Sequence, residues 1–322
     1  MKAMLRLLNT ADISSCPDVF ESLAREIEVV SVPPSRDVLM ERIAEFDIYF
    51  ASLHVIADRA LMERACRLRL IASASTGLDH IDTAFAETRG ITVLSLREDT
   101  AFLNSLTATA ELAWALLLAT VRRLPWAFAA AQHGNWARDQ FRGHQISGRT
   151  LGILGYGRLG RIVAEYGRSF RMRVLAHDRR AVVPEAGVEM VDFERLLSEA
   201  DVLSIHIHLT KGNRRAIGAA ELSKMKPGAI LVNTSRGGIV DEDALLEALS
   251  SGRLGGAGLD VIDGEWRSDL ASHPLIEWSR EHQNLVISPH IGGVTFESQR
   301  AAIEYSVAKI LRWVHTQGHA SS

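Results

Sequence analysis

The chain has 322 residues with 36 Lys and Arg against 39 Asp and Glu, a formal net charge of -3, 47% hydrophobic and 23% charged residues. That length suits two domains of roughly 100–200 residues, and the composition excludes a disordered or fibrous chain. The near-neutral balance, without a run of five basic residues, argues against nucleic-acid and membrane partners and turns the search to small molecules.

Up to about residue 95 the pattern alternates short β-type runs with helical spacing, the strands falling at Met4–Leu8, Glu28–Val30, Ile48–Ala51, Leu70–Ala72 and Thr92–Leu94. The Met4–Leu8 run is interrupted by Arg6 and is too short for a signal-peptide core. Cys16 and Cys66 lie far apart with no metal-ligand spacing, so no metal site or disulfide framework is expected and a reducing cytoplasm fits. A long apolar helix is predicted over Leu103–Arg122. Its apolar stretch, Ala108–Val121, is shorter than the roughly 20 residues of a membrane span and reads as a buried helix. Pro125 and Gly134 then mark a change of course through Trp126 and Trp136. Trp114, Trp126 and Trp136 read as core or subunit-interface residues.

A second alternating series follows, with strands at Thr150–Leu154, Arg173–Ala176, Val202–Ile207, Ala229–Asn233, Gly256–Asp260 and Leu285–Ile287, and helices at about Arg158–Ser169 and Glu297–His315. Such alternation means α/β architecture, here two doubly wound parallel sheets. Between the first strand and helix of this series stands Gly155-Tyr-Gly157-Arg-Leu-Gly160. Gly155 allows the tight turn, Gly157 lets backbone approach a pyrophosphate, Gly160 lets helix and strand pack closely, and Arg158 and Leu159 open the helix whose N-terminus offers free N–H groups. About 18 residues beyond Gly160, Asp178 ends the next strand, where an acid grips ribose hydroxyls. The pair points to NAD as cofactor. Arg179 and Arg180 follow in the turn, placed to face solvent, and NAD is expected over NADP.

Three further residues follow strand ends: Arg236 in Asn233-Thr-Ser-Arg-Gly-Gly, Glu265 in Gly258-Leu-Asp-Val-Ile-Asp-Gly-Glu, and His290 in Ser288-Pro-His-Ile-Gly-Gly. Arginine binds a carboxylate with two parallel hydrogen bonds. Histidine exchanges a proton near neutral pH, and a carboxylate beside it favours the charged ring. The set suits hydride transfer at C2 of a 2-keto or 2-hydroxy acid.

These segments, with the glycine motif and the run Leu222-Ser-Lys-Met-Lys-Pro-Gly-Ala-Ile-Leu-Val-Asn-Thr-Ser-Arg-Gly-Gly-Ile-Val-Asp, resemble the D-isomer-specific 2-hydroxyacid dehydrogenases over essentially the whole chain. Phosphoglycerate dehydrogenases and glyoxylate/hydroxypyruvate reductases belong to that family. The resemblance implies a substrate-binding arginine at Arg236, a histidine-orienting glutamate at Glu265 and an acid/base histidine at His290. It implies further cofactor contacts at His206, Thr234, Ser235, Arg236, Asp260 (to the nicotinamide carboxamide), His290 and Gly292, and substrate contacts at Ser75, Thr76, Gly77 and Arg236. Ser75 stands where many members have glycine, His208 where proline is usual, and Trp266 where proline is frequent. It implies a Rossmann NAD domain over residues 99–290, a flavodoxin-like substrate domain from 1–98 completed by 291–322, and a homodimer built around the long helix and the Trp126–Trp136 arm. Two alternatives stay open: a 3-phosphoglycerate dehydrogenase, and an NAD-sensing binding protein like the corepressors that share the fold.

Overall fold

The computed structural model describes residues 4–14 and 16–319, with side chains through residue 316, and it divides into two compact units. Residues 1–3, 15 and 320–322 of the expected first domain lie outside the described residues.

The first unit takes the chain up to Leu106 and its return from Val294. Five parallel strands, β1 (Arg6–Asn9), β2 (Glu28–Ser31), β3 (Ile48–Ala51), β4 (Leu70–Ser73) and β5 (Thr92–Leu94), stand in the order β2-β1-β3-β4-β5. That is the flavodoxin-like doubly wound order. β3 and β4 are buried at every residue, as expected of central parallel strands covered on both faces. The helix Phe296–His319 lays Ile303, Val307 and Ile310, one helical face, against Leu7, Ile48, Phe50 and Leu70.

The boundary falls later than the sequence reading placed it. Residues 99–106 stay with the first unit because Asp99 accepts from the Tyr305 hydroxyl at 3.0 Å and Lys309 at 2.5 Å, while Phe102 stacks on Tyr305 at 4.1 Å between centroids. The single predicted helix is accordingly two, Thr100–Leu103 and Ala108–Val121. Between them Ser105 Oγ bonds back to the Phe102 carbonyl and Thr107 Oγ1 donates to Glu111, local bonds that compete with a continuous helix. Thr100–Val121 has the length and hydropathy of a membrane span. Its second helix instead buries Ala110, Ala113, Leu116, Leu117 and Val121 in a core shared with Leu151, Ile153, Ile230 and Val232.

The second unit, Thr107–Gly293, holds seven parallel strands: β6 (Thr150–Leu154), β7 (Arg173–His177), β8 (Val188–Met190), β9 (Val202–Ile205), β10 (Ala229–Asn233), β11 (Leu254–Leu259) and β12 (Leu285–Ile287). Their order, β12-β11-β10-β9-β6-β7-β8, is the Rossmann arrangement with one added strand. β11 reads Leu-Gly-Gly-Ala-Gly-Leu, a poor strand by propensity. Its glycines are explained by the helix Ala108–Val121: a Cβ on Gly256 would stand 2.8 Å from Thr120 Cγ2, and one on Gly258 3.1 Å from Leu116 Cβ. The edge strand β8 was not predicted; it is three residues long, pairs only with β7, and follows Pro184 and Gly187. Also unpredicted is the helix Leu124–Gln132, which carries Pro125 in its first turn and buries no residue.

Candidate active site

All candidate residues of the second unit follow the C-terminal ends of its strands, where open parallel sheets bind ligands. The glycine turn follows β6, Asp178 β7, His206 β9, Thr234 to Arg236 β10, Asp260 to Glu265 β11, and His290 β12.

At the turn, Gly155 has φ +96°, and a Cβ there would stand 2.6 Å from the His206 carbonyl oxygen on the neighbouring β9. A Cβ on Gly160 would overlap the Gly155 carbonyl, so the helix Arg158–Ser169 lies directly on the turn. Gly157 by contrast opens to space, its nearest neighbour being Arg180 Nη2 at 3.8 Å from a Cβ. Burial holds the Arg158 guanidinium below its ordinary pKa. Leu159 packs against the core beneath.

Arg180 departs in part from the sequence reading. Although solvent-exposed as expected, it also grips Asp178 through Nε to Oδ1 at 3.0 Å and Nη2 to Oδ2 at 3.1 Å, and its backbone N–H adds a third bond at 3.0 Å. The Asp178 side chain keeps 10% of its surface exposed and that of Arg180 72%. The guanidinium holds the carboxyl below the usual carboxylate range. The positive partner draws in because a planar fork on a carboxylate is the strongest local pairing available.

Behind β9 and β10 two polar atoms are buried with no hydrogen-bond partner, His206 Nδ1 and Thr234 Oγ1. His206 Nε2 is 2.8 Å from Ser204 Oγ. The residue keeps some exposed surface, yet Nδ1 itself is shut off from water, and desolvation pushes its pKa down to about 4. His208 is exposed.

Asn233 builds the turn that carries Arg236. Its side-chain amide donates to the Arg236 carbonyl at 2.9 Å and its oxygen accepts from Ser235 N at 3.0 Å, while Ser235 Oγ donates to Ile205 O at 2.8 Å. The next residue, Gly237, lies so close to the Ile262–Asp263 backbone that a Cβ would overlap it. The turn of Arg236 and the loop of Glu265 are thereby packed as one body. Asp263 N is held by Glu242 Oε1 at 2.7 Å, and Glu242 in turn faces His273 at 3.2 Å.

Glu265 Oε1 lies 2.6 Å from His290 Nδ1, both side chains being largely buried, 17% and 16% exposed. His290 has φ +55°, in the left-handed region. Trp266 stacks on its ring at 5.9 Å. Asp260 is 1% exposed and is engaged by the loop on either side of His290: Ser288 Oγ at 2.6 Å and Ile291 N at 2.8 Å on Oδ1, Gly292 N at 2.8 Å on Oδ2. Burial pushes its carboxyl above the usual range, partly offset by these donors. Beside the pair lies a pocket of about 450 Å³ walled by Pro125, Trp126, Trp266, Leu270 and Ile276. Trp126 therefore flanks the candidate site, whereas Trp114 is core and Trp136 is 83% exposed.

In the first unit, Ser75, Thr76 and Gly77 follow β4. Ser75 Oγ donates to Gly77 O at 2.7 Å and meets Ser73 Oγ at 3.0 Å, which curls the loop where a glycine would leave it open. Their place in substrate binding rests on the resemblance.

Residues 114–292 match the model of the D-isomer specific 2-hydroxyacid dehydrogenase, NAD binding domain. The chain belongs to that family. It is similar to a glyoxylate reductase of Thermococcus litoralis, 41% identical over 89% of this chain and 86% of the relative. A hydroxypyruvate reductase of Thermotoga maritima is 36% identical over 89% and 91%. Among solved structures, a D-lactate dehydrogenase from Aquifex aeolicus, complexed with NAD and lactic acid, is 28% identical with a TM-score of 0.81 over 97% and 96%. This dehydrogenase is an NAD-dependent oxidoreductase acting on the CH–OH group of 2-hydroxy acids.

The residues present fit NAD. The turn at Gly157 opens to space, Asp178 carries a carboxylate just past the end of the next strand, β7, and two buried polar atoms at adjacent strand ends lack a protein partner. Sequence reasoning missed Arg180 as a partner of Asp178, Ser288 as a donor to Asp260, and Trp126 as a pocket wall. Ser288 stood two residues from His290 in a run already singled out. The Trp126 placement carried no local signal.

Proposed function

We propose that the dehydrogenase reduces a small 2-keto acid of the size of glyoxylate or hydroxypyruvate, with Arg236, Glu265 and His290 carrying the step. The observation that carries this reading is the 2.6 Å contact of His290 Nδ1 with Glu265 at a strand end. It commits one ring nitrogen to the carboxylate and leaves Nε2 for proton exchange. Bound NADH supplies a hydride to C2 of the keto acid, and NAD accepts one from the hydroxy acid. Arg236 forks onto the substrate carboxylate and fixes C2. His290, charged beside Glu265, gives its proton to the carbonyl oxygen during reduction, and the neutral ring takes it back during oxidation. His206 and Thr234 turn their open polar atoms to the cofactor.

The test is a panel of glyoxylate, hydroxypyruvate, pyruvate, 3-phosphohydroxypyruvate and bulkier keto acids, followed by NADH absorbance. Turnover on the order of 1–10³ s⁻¹ on a small keto acid is expected. Preference for the phosphorylated acid would point to phosphoglycerate chemistry, and no turnover on any acid to a binding role.

NAD is the preferred cofactor by this reading. Asp178 accepts from the ribose hydroxyls and repels a 2′-phosphate, and the difference should be roughly 2–3 kcal/mol, about 30- to 150-fold in affinity. Because Arg180 already sits on Asp178, Asp178→Ala frees that guanidinium for the phosphate, and NADPH should gain as NADH loses. Steady-state kinetics with both cofactors decides this: equal or better kcat/KM with NADPH in the unmutated enzyme would assign the preference to the arginines.

The arm after the Ala108–Val121 helix supports assembly as a homodimer. Its helix buries nothing within the chain, and Phe128 and Trp136 are 62% and 83% exposed. The two free cysteines, one exposed, suit the cytoplasm.

A further inference from the structure

We propose that Ser288 and the Asp260 carboxylate form a clamp that holds His290 in its left-handed backbone conformation, which makes Ser288 a positioning residue for proton transfer. The inference rests on the reading of His290 as the acid/base group.

A side chain at φ +55° crowds its own backbone, so a non-glycine residue persists there only where its surroundings fix it. At His290 the fixing bonds are all visible. Its N–H donates to the Asp260 carbonyl at 2.8 Å and the Ser288 carbonyl at 3.0 Å. The Asp260 carboxylate takes Ser288 Oγ from the residue two before and the amides of the two residues after. Thr109 Oγ1 holds the Gly292 carbonyl at 3.0 Å, and a Cβ on Gly292 would come within 3.0 Å of Asp260 Oδ2. One carboxylate thus bridges both flanks of the turn, and Ser288 is its one side-chain donor among the described residues.

The arrangement explains why a buried carboxylate stands beside the reacting histidine without touching its ring. Left in the ordinary helical or extended region, the backbone would turn the imidazole away from Glu265, and the 2.6 Å contact would open. Ionisable groups facing the ring among the described residues include Glu265, from the loop after β11, and Asp260, from the end of that strand. Trp266, stacked on the ring, is uncharged. The Ser288 hydroxyl also opposes the effect of burial, which pushes the Asp260 carboxyl up. Without the hydroxyl the carboxyl protonates more readily and releases the Ile291 and Gly292 amides.

The experiment compares Ser288→Ala, Ser288→Thr and Ser288→Cys by kcat and KM for the keto acid, the pH profile of reduction, and amide hydrogen exchange at Ile291 and Gly292 in the cofactor-free protein. For Ser288→Ala, a fall in kcat of about ten-fold is expected, with KM within about two-fold because Arg236 lies on a separate turn. Exchange at both amides should quicken, and the pH profile of reduction should change as the Glu265 contact loosens. Threonine restores all three properties, and cysteine, a weaker donor of similar size, falls between; it also serves if the alanine protein does not fold. Wild-type kcat and pH profile in Ser288→Ala, or a threonine variant that restores neither, would overturn the clamp. Failure of the underlying reading is distinct: His290→Asn would then keep its kcat, while the amides would still respond to Ser288→Ala.

Discussion

His290→Asn is expected to fold, to bind NADH as the parent does, and to lose about 10²- to 10⁴-fold in kcat for keto-acid reduction, the range a positioned acid or base contributes. Asparagine is chosen for the backbone. It tolerates the left-handed region better than other non-glycine residues, so it can keep φ +55° and the Asp260 clamp while removing the proton donor. Glu265→Gln is the companion. Reduction needs the charged ring and oxidation the neutral one, and a neutral amide partners the two forms differently from a carboxylate, so the pH profiles of both directions should change. Fluorescence titration with NADH separates binding from chemistry. Near-parental kcat in His290→Asn would remove the histidine from the step. An unmoved profile in an active Glu265→Gln enzyme would dissolve the pair despite its 2.6 Å contact.

Apolar runs located β3, β6 and β10, buried throughout, to the residue, and the partly exposed β5 and β12 equally well. The uniformly buried β9 was drawn two residues too long, because Ile207 continues the apolar run past the strand's end at Ile205. β8 was hidden because an edge strand of three residues has too few positions to show a period. The split of the apolar helix at Asn104–Thr107 was hidden because its cause is partly tertiary: besides the local Ser105 and Thr107 bonds, Asp99 and Phe102 bind Tyr305, some 200 residues on. The site divides along the same line. Glycine spacing and the residue types after each strand are one-dimensional signals, and they placed Gly155, Asp178, Arg236, Glu265 and His290 together at one edge of one sheet. The Arg180 grip on Asp178 and the Ser288 bond to Asp260 are choices of rotamer, and no spacing rule encodes them. His206 shows the middle case. A histidine at a strand end is ambiguous in sequence, and only its buried, unpartnered Nδ1 turns it toward a ligand.

Arg236→Lys is expected to keep a positive charge at the same place and still lose about 2–4 kcal/mol of transition-state binding, or roughly 30- to 1000-fold in kcat/KM. The turn argues for this. Asn233 fixes the Arg236 carbonyl, Ser235 is tied to Ile205, and Gly237 is wedged against the Ile262–Asp263 backbone, so the residue at 236 cannot shift to compensate for a shorter reach. Arg236 itself is half-buried with an extended backbone, φ -149° and ψ 140°, and one guanidinium nitrogen, Nη1, donates to the Ser235 carbonyl at 2.7 Å. A guanidinium is planar and carries five donors in a fixed fork whose geometry matches a carboxylate. Lysine carries three donors on one nitrogen and cannot hold the carbonyl and two carboxylate oxygens in one plane. The substrate is then bound more weakly and is also less well aligned with the nicotinamide and with His290, so the loss should divide between KM and kcat rather than fall on KM alone. Initial rates over a wide keto-acid range at saturating NADH measure both. A lysine enzyme that loses only KM would make Arg236 a simple charge contact, and one with near-parental kcat/KM would take the carboxylate away from this residue altogether.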